Sequence, residues 1–179
     1  DYDPRYLAGV LIFNRRAFFE AHEAWESIWL DPAGPEKKFY QALIQAAVAL
    51  YHFGNGNVRG AFKLYHSSKN YMAPYPSPYL GIDTAAFWGQ MEHCFAQLLA
   101  SPEPDRSIEL DDELVPTITL DPPPTEEAQR EPFYFSPYAL PVPPEAFPTL
   151  QGLSPLLPVL VTQVYSDSGP SATFRGVSA

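Results

Sequence analysis

Two side chains four residues apart, His22 and Glu26, carry the least expected chemistry in this chain. At about 100° per residue, residues 18–30 form a helical wheel. Phe18, Ala21, Trp25, Ile28 and Trp29 share one side of it, with Phe19 and Leu30 at the margins. His22 falls in the middle of that apolar arc and Glu26 lies within it one turn on, while Glu20, Ala24 and Ser27 face the other way and Glu23 sits at the border. An ionised carboxylate on an apolar face is costly unless it is paired. Residues at i and i+4 on a helix meet. Such a His–Glu pair can move a proton, ligate a metal or hold a small polar molecule.

A second segment carries the matching anomaly. From Phe39 to Phe53 there is no formal charge with His52 neutral, the pattern of a helix buried nearly all round. Its non-aromatic polar residues, Gln41, Gln45 and His52, fall within about 40° of one another on the wheel and form one stripe. Buried polar groups need partners, so this stripe is expected to face His22 and Glu26 across a helix interface. With Glu23, Trp25 and Trp29 these residues make up a candidate ligand-binding cluster.

Three chemical readings follow. The cluster fixes helix register, it binds a small polar ligand or a divalent metal through His22, Glu26 and His52, or it performs acid–base or metal-assisted catalysis through His22 and Glu26. The run His22-Glu23-Ala24-Trp25-Glu26 is similar to the zinc-protease signature His-Glu-x-x-His, but Glu26 stands where the second His belongs. No Glu-x-x-His pair of the di-iron type falls on a predicted helix. No Gly-rich phosphate loop, zinc-type Cys/His spacing or nucleophile elbow is found, so the sequence requires no cofactor. His66 shares a polar helix side with Arg59, Lys63 and Asn70, His93 points away from the apolar stripe of its helix, and Cys94 lies on that stripe as core filler.

The elements that position these residues read as helices. Pro4–Phe13 is a short first helix with proline in its permitted first turn. Asn14 is expected to cap a second helix ending near Leu30, where Asp31-Pro32 stops it. The long helix spans about Glu36–Phe53, broken by Gly54-Asn55-Gly56-Asn57. Another fits Val58–Met72, ended by Pro74, Pro76 and Pro78, and Asp83 caps a last one over Thr84–Ala100. The expected fold is all-α, a compact antiparallel bundle of about five helices over residues 1–100, followed by a proline-rich extended arm over 101–179.

Composition marks the boundary. Of 21 prolines, 15 fall after residue 100, as do 12 of the 21 acidic residues and only 3 of the 11 basic ones. The net charge of −10 argues against nucleic acid or an anionic membrane surface as partner. No window approaches the roughly 18 apolar residues of a membrane span. No secretory leader is visible, and a start at Asp1 suggests a missing upstream piece. The lone Cys94 fits a reducing compartment, and the expected location is the cytoplasm. Residues 111–120 hold a short β-branched run, Val115–Leu120, interrupted by Pro116, and Pro122-Pro123-Pro124 is stiff and extended. Residues 133–165 are apolar and aromatic but too rich in proline for helices, so this segment is expected to dock on the bundle or on a second copy as an arm-exchanged homodimer.

Several motifs together resemble one family. They are Phe13-Asn14, the run Phe18-Phe19-Glu20-Ala21-His22-Glu23-Ala24-Trp25-Glu26 with Trp29, Gln41-Ala42-Leu43-Ile44-Gln45-Ala46-Ala47 with His52, the Gly56-Asn57 turn, Gly60-Ala61, and Tyr79-Leu80-Gly81-Ile82-Asp83. In this order they resemble the domain-of-unknown-function 309 family of small bacterial and archaeal helical proteins, over about residues 3–100. The resemblance implies an all-helical bundle with Phe-x-x-x-His-Glu-x-Trp-Glu as its hallmark and implies no activity. The arm lies outside it.

Overall fold

Asp3 starts the fold. Its carboxylate accepts the Arg5 backbone N–H at 2.8 Å, and Pro4 occupies the first turn, where its missing donor costs nothing. The computed structural model describes residues 2–31, 34–100 and 106–125, and in them six α-helices: α1 (Pro4–Asn14), α2 (Phe18–Trp29), α3 (Lys37–Gly54), α4 (Val58–Met72), α5 (Thr84–Cys94) and the single turn α6 (Ala96–Leu99). A 3-10 turn, Asp112–Leu114, follows. None of these helices is long and apolar enough to cross a membrane. The expected all-helical bundle is what the described residues form. The apolar segment 133–165 lies outside them.

Neighbours in sequence pack as antiparallel neighbours in space, α1 on α2, α2 on α3 and α3 on α4. Arg5 ties the first pair. Its guanidinium meets Asp3, Asp31 at 2.8 Å and the Ser27 carbonyl at 3.2 Å, so one cation joins the start of α1 to the last turn of α2. Trp25 lies across α1 and donates Nε1–H to the Tyr6 carbonyl at 3.2 Å. The indole occupies the space a Cβ on Gly9 would need, so this contact requires glycine in mid-helix.

The middle of the bundle is α3. Phe39, Ala42, Leu43, Ala46, Ala47, Ala49 and Leu50 are fully buried, and its alanines let α2 and α4 approach closely. No side chain of its own caps its N-terminus. Tyr75 does so from beyond α4: its hydroxyl accepts the Phe39 N–H at 3.0 Å and donates to the Pro35 carbonyl at 2.7 Å. Ser68 of α4 donates to the Ala42 carbonyl at 2.6 Å. Aromatic contacts close the far side, with Phe95 against Phe53 and Tyr65, and Phe87 against Phe13.

Two boundaries differ from expectation. Asn14 is the last residue of α1, and α2 begins at Phe18 behind Ala17, which makes no side-chain cap. The chain reverses through Arg16 at φ 66°, so the Asn14 side chain is turned out of the helix end and bonds Ile118 instead. The helix expected over Thr84–Ala100 is interrupted at Phe95, where the buried ring seats between Phe53 and Tyr65. Asp83 caps α5 as expected, accepting the Ala86 N–H at 3.0 Å.

Residues 115–122 cross the bundle as an extended strap. Val115, Pro116, Ile118 and Leu120 are buried, and Leu120 forms an antiparallel bridge with Ile82.

Two glycine substitutions test the packing with opposite signs. Gly9→Ala drives a methyl into the Trp25 ring and should destabilise by about 1–3 kcal/mol. Gly89→Ala, on the open face of α5 with no atom near the added methyl, should stabilise by about 0.5–1 kcal/mol. Urea unfolding monitored by circular dichroism reads both.

Candidate functional site

The α2–α3 seam is anchored at both ends by aromatic contacts. Phe19 meets Tyr51 at a centroid distance of 5.4 Å, and the Lys37 ammonium sits 5.0 Å from the Trp29 ring. The antiparallel register between these anchors sets the turn of Glu26 at about the height of Gln41 and that of His22 nearer Tyr51.

His22 is 9% exposed. Its Nδ1 donates to the carbonyl of Phe19 one turn back, which fixes Nδ1–H as the tautomer and leaves Nε2 as the basic nitrogen. Burial pushes its pKa below the usual value, against smaller opposing pulls from the Phe19 carbonyl and Glu20. Burial therefore outweighs any carboxylate, and His22 is neutral at pH 7. Glu26 is half-buried and has no ion pair among the described residues. Burial, and then the charge of Glu23, pushes its carboxyl up to about 7. Glu23 itself is exposed.

On α3, Gln41 is 2% and Gln45 1% exposed. Gln41 Oε1 accepts from Lys38 Nζ at 3.1 Å, and its Nε2 has no partner. Neither Oε1 nor Nε2 of Gln45 has one. Trp29 Nε1, across the seam, is also buried without a partner. Lys38, which sequence reading missed, extends over the Tyr71 ring at 4.5 Å as well as to Gln41. The i, i+3 spacing of Lys38 and Gln41 was the available signal.

The structure divides the predicted set. His22 and Glu26 lie on α2 and the buried Gln41 and Gln45 on α3, and no direct hydrogen bond joins His22 or Glu26 to the glutamines. Trp25 faces α1 and belongs to the core. His52 sits at the far end of α3, where Asn57 Nδ2 donates to its Nδ1 at 3.3 Å. Gln41 and His52 share a stripe but are eleven residues apart, about 16 Å along the axis, so one stripe cannot place both beside Glu26. The metal set His22, Glu26 and His52 is therefore not assembled: among the described residues no three or more His, Cys, Asp or Glu side chains gather closely enough to hold a metal. His66 and His93 are exposed, and Cys94 is buried with its thiol pushed up to about 12 by burial.

A separate open cavity of about 240 Å³ lies at the start of α4, lined by Gly56, Asn57, Val58, Arg59 and Arg106. Asn57 caps α4 there, accepting the Gly60 N–H at 3.0 Å. Sequence reading missed it because Arg106 lies in the other half of the chain.

The seam lies wholly within a segment that matches a known family. Residues 6–64 match the model described as "Domain of unknown function (DUF309)". That match takes in α1 from Tyr6 onward, α2, α3 and the first turns of α4. The chain is also similar to the uncharacterized protein YpuF of Bacillus subtilis (strain 168), 38% identical over 69 residues. These are 37% of this chain and 40% of that protein, so the chain spans about two fifths of the length of the curated relative it matches. No solved structure matches.

The two titrating groups of the seam oppose each other in pH. Glu26, with a folded value near 7 against an ordinary 4.5, costs stability as pH rises through that window, because the folded state holds the proton longer. His22, with a lowered folded value, costs stability as pH falls below its ordinary 6.5, because only the unfolded state protonates readily. Glu26→Gln should raise the melting temperature at pH 8 by a few degrees and leave it little changed at pH 4.5. About 1 kcal/mol moves the midpoint of a domain this size by roughly 4–8 °C. Thermal melts from pH 4 to 9 on both proteins check it.

Proposed function

We propose that this protein is a non-catalytic binding module whose α2–α3 seam takes one small, uncharged polar molecule. The observation that carries the reading is Gln45, whose two amide atoms are buried and both unpaired. An unsatisfied buried polar atom costs about 1–3 kcal/mol, and Gln45 has two of them, with Gln41 Nε2 also unpaired one turn back on the same helix. A group that donates to Oε1 and accepts from Nε2 relieves both, as a primary amide or a protonated carboxylic acid does. Glu26, with its carboxyl near 7, serves as donor or acceptor on the other wall. The gathered residues lack a metal set, which favours a neutral organic ligand over a divalent ion. The lone buried Cys94 is consistent with a place in the cytoplasm.

The competing reading is that the cluster only sets helix register. A thermal-shift screen of small amides and carboxylic acids separates the two. A binder at 100 times its Kd adds about 2.7 kcal/mol. Gln45→Leu should raise the melting temperature of the protein alone, by removing unpaired polar atoms, and abolish the shift given by the binder. If no amide or acid shifts the melt and Gln45→Leu lowers it, the cluster is structural.

A further inference from the structure

The strap is held by its backbone. The Asn14 side-chain amide spans both main-chain groups of a single residue: Nδ2 donates to the Ile118 carbonyl and Oδ1 accepts the Ile118 N–H, each at 2.8 Å. Gln90 Oε1 accepts the Thr117 N–H at 2.9 Å. The Gly81 carbonyl accepts the Asp121 N–H at 2.9 Å, and the Tyr2 hydroxyl donates to the Pro122 carbonyl at 2.8 Å. All five bonds go to main-chain atoms of the strap. Its side chains contribute by alternation, with Pro116, Ile118 and Leu120 buried and Thr117, Thr119 and Asp121 exposed. Gly81 lets the Tyr2 ring come this close: at φ 80° and with that ring against its Cα, no side chain fits.

Main-chain bonds with pockets for alternate side chains are how folded domains read extended peptides in general. We propose that the surface formed by the end of α1, by α5 and by the Tyr79–Ile82 turn is a peptide-docking groove, filled in cis by residues 115–122. Its partner in trans is an extended segment of another protein with apolar residues at every second position. Among the described residues the hydrogen bonds that hold the strap reach its main chain, so the groove recognises its occupant by backbone and buried apolar side chains. Tethering gives the cis strap an effective concentration in the millimolar range, so it holds the groove until it is weakened or outcompeted.

The test uses the full chain and a fluorescein-labelled peptide of residues 112–124. Full-length protein carrying Ile118→Asp and Leu120→Asp, which expels the strap, should bind the peptide at least about 100-fold more tightly than the unaltered protein. Adding Asn14→Leu to the strap variant should weaken that binding by about tenfold or more. A strap variant that keeps its helical circular dichroism but does not bind overturns the proposal. If the strap variant unfolds, amide exchange on the unaltered protein decides. Ile118 and Asp121 amides exchanging far faster than those of Leu43 and Leu50 show a strap that opens by itself, and equal rates overturn the groove. Light scattering that shows a dimer in the unaltered protein, lost with Ile118→Asp, assigns the groove to a second copy and overturns the foreign partner.

Discussion

From Phe39 onward α3 carries no formal charge, and a helix of that composition cannot present any whole side to water. Its alanines are too small to fill space alone, so α2 and α4 close on it from either side and bring their backbones near. Everything else supports that enclosure. Arg5 holds α1 to the end of α2, Phe95 fills the space between α3 and α4, and Tyr75 supplies the cap α3 lacks. The glutamines are the exception within the helix. Both are buried, and Gln41 Nε2 and both amide atoms of Gln45 stay unpaired, a cost the packing around them must offset.

The parts legible in the sequence are those set by local chemistry. Gly54 to Asn57 and the prolines after Met72 break helices wherever they stand, and Asp83 caps the helix its position announces. The central place of α3 followed from its missing charges. Long-range partners were not legible. Asn14 has a capping residue's chemistry, but the turn through Arg16 hands its amide to a residue more than a hundred positions on. Phe95 ends α5 without glycine or proline, through the fit of its ring alone. At the site, the wheel grouped Gln41, Gln45 and His52 by direction. Direction says nothing of distance along the axis, and this separates His52 from the rest. The β-branched run at 115–120 was visible, but its seat on the bundle was not, because that seat is made of backbone bonds that leave no trace in residue type.

His22 and Glu26 show how one environment acts oppositely on an acid and a base. Burial disfavours charge on either, so it lowers the imidazole and raises the carboxyl. Both groups tend to neutrality near pH 7. A His–Glu pair at i, i+4 suggests an ion pair on paper. In the folded protein it is a neutral imidazole and a carboxyl that titrates near pH 7, each answering to its own surroundings.

The cap that Tyr75 places on α3 also bears on how the chain is made. Ribosomes deliver residues in order, and the first turn of α3 emerges with the Phe39 amide unsatisfied by any neighbour. Its partner arrives only after α4 has followed, 36 residues later, and the same hydroxyl reaches back 40 residues to Pro35. During synthesis the central helix of the bundle thus waits, open at its leading end, for a residue that lies beyond the next helix. Between the emergence of Lys37 and that of Tyr75 the nascent chain carries an uncharged helix whose first turn is not yet capped.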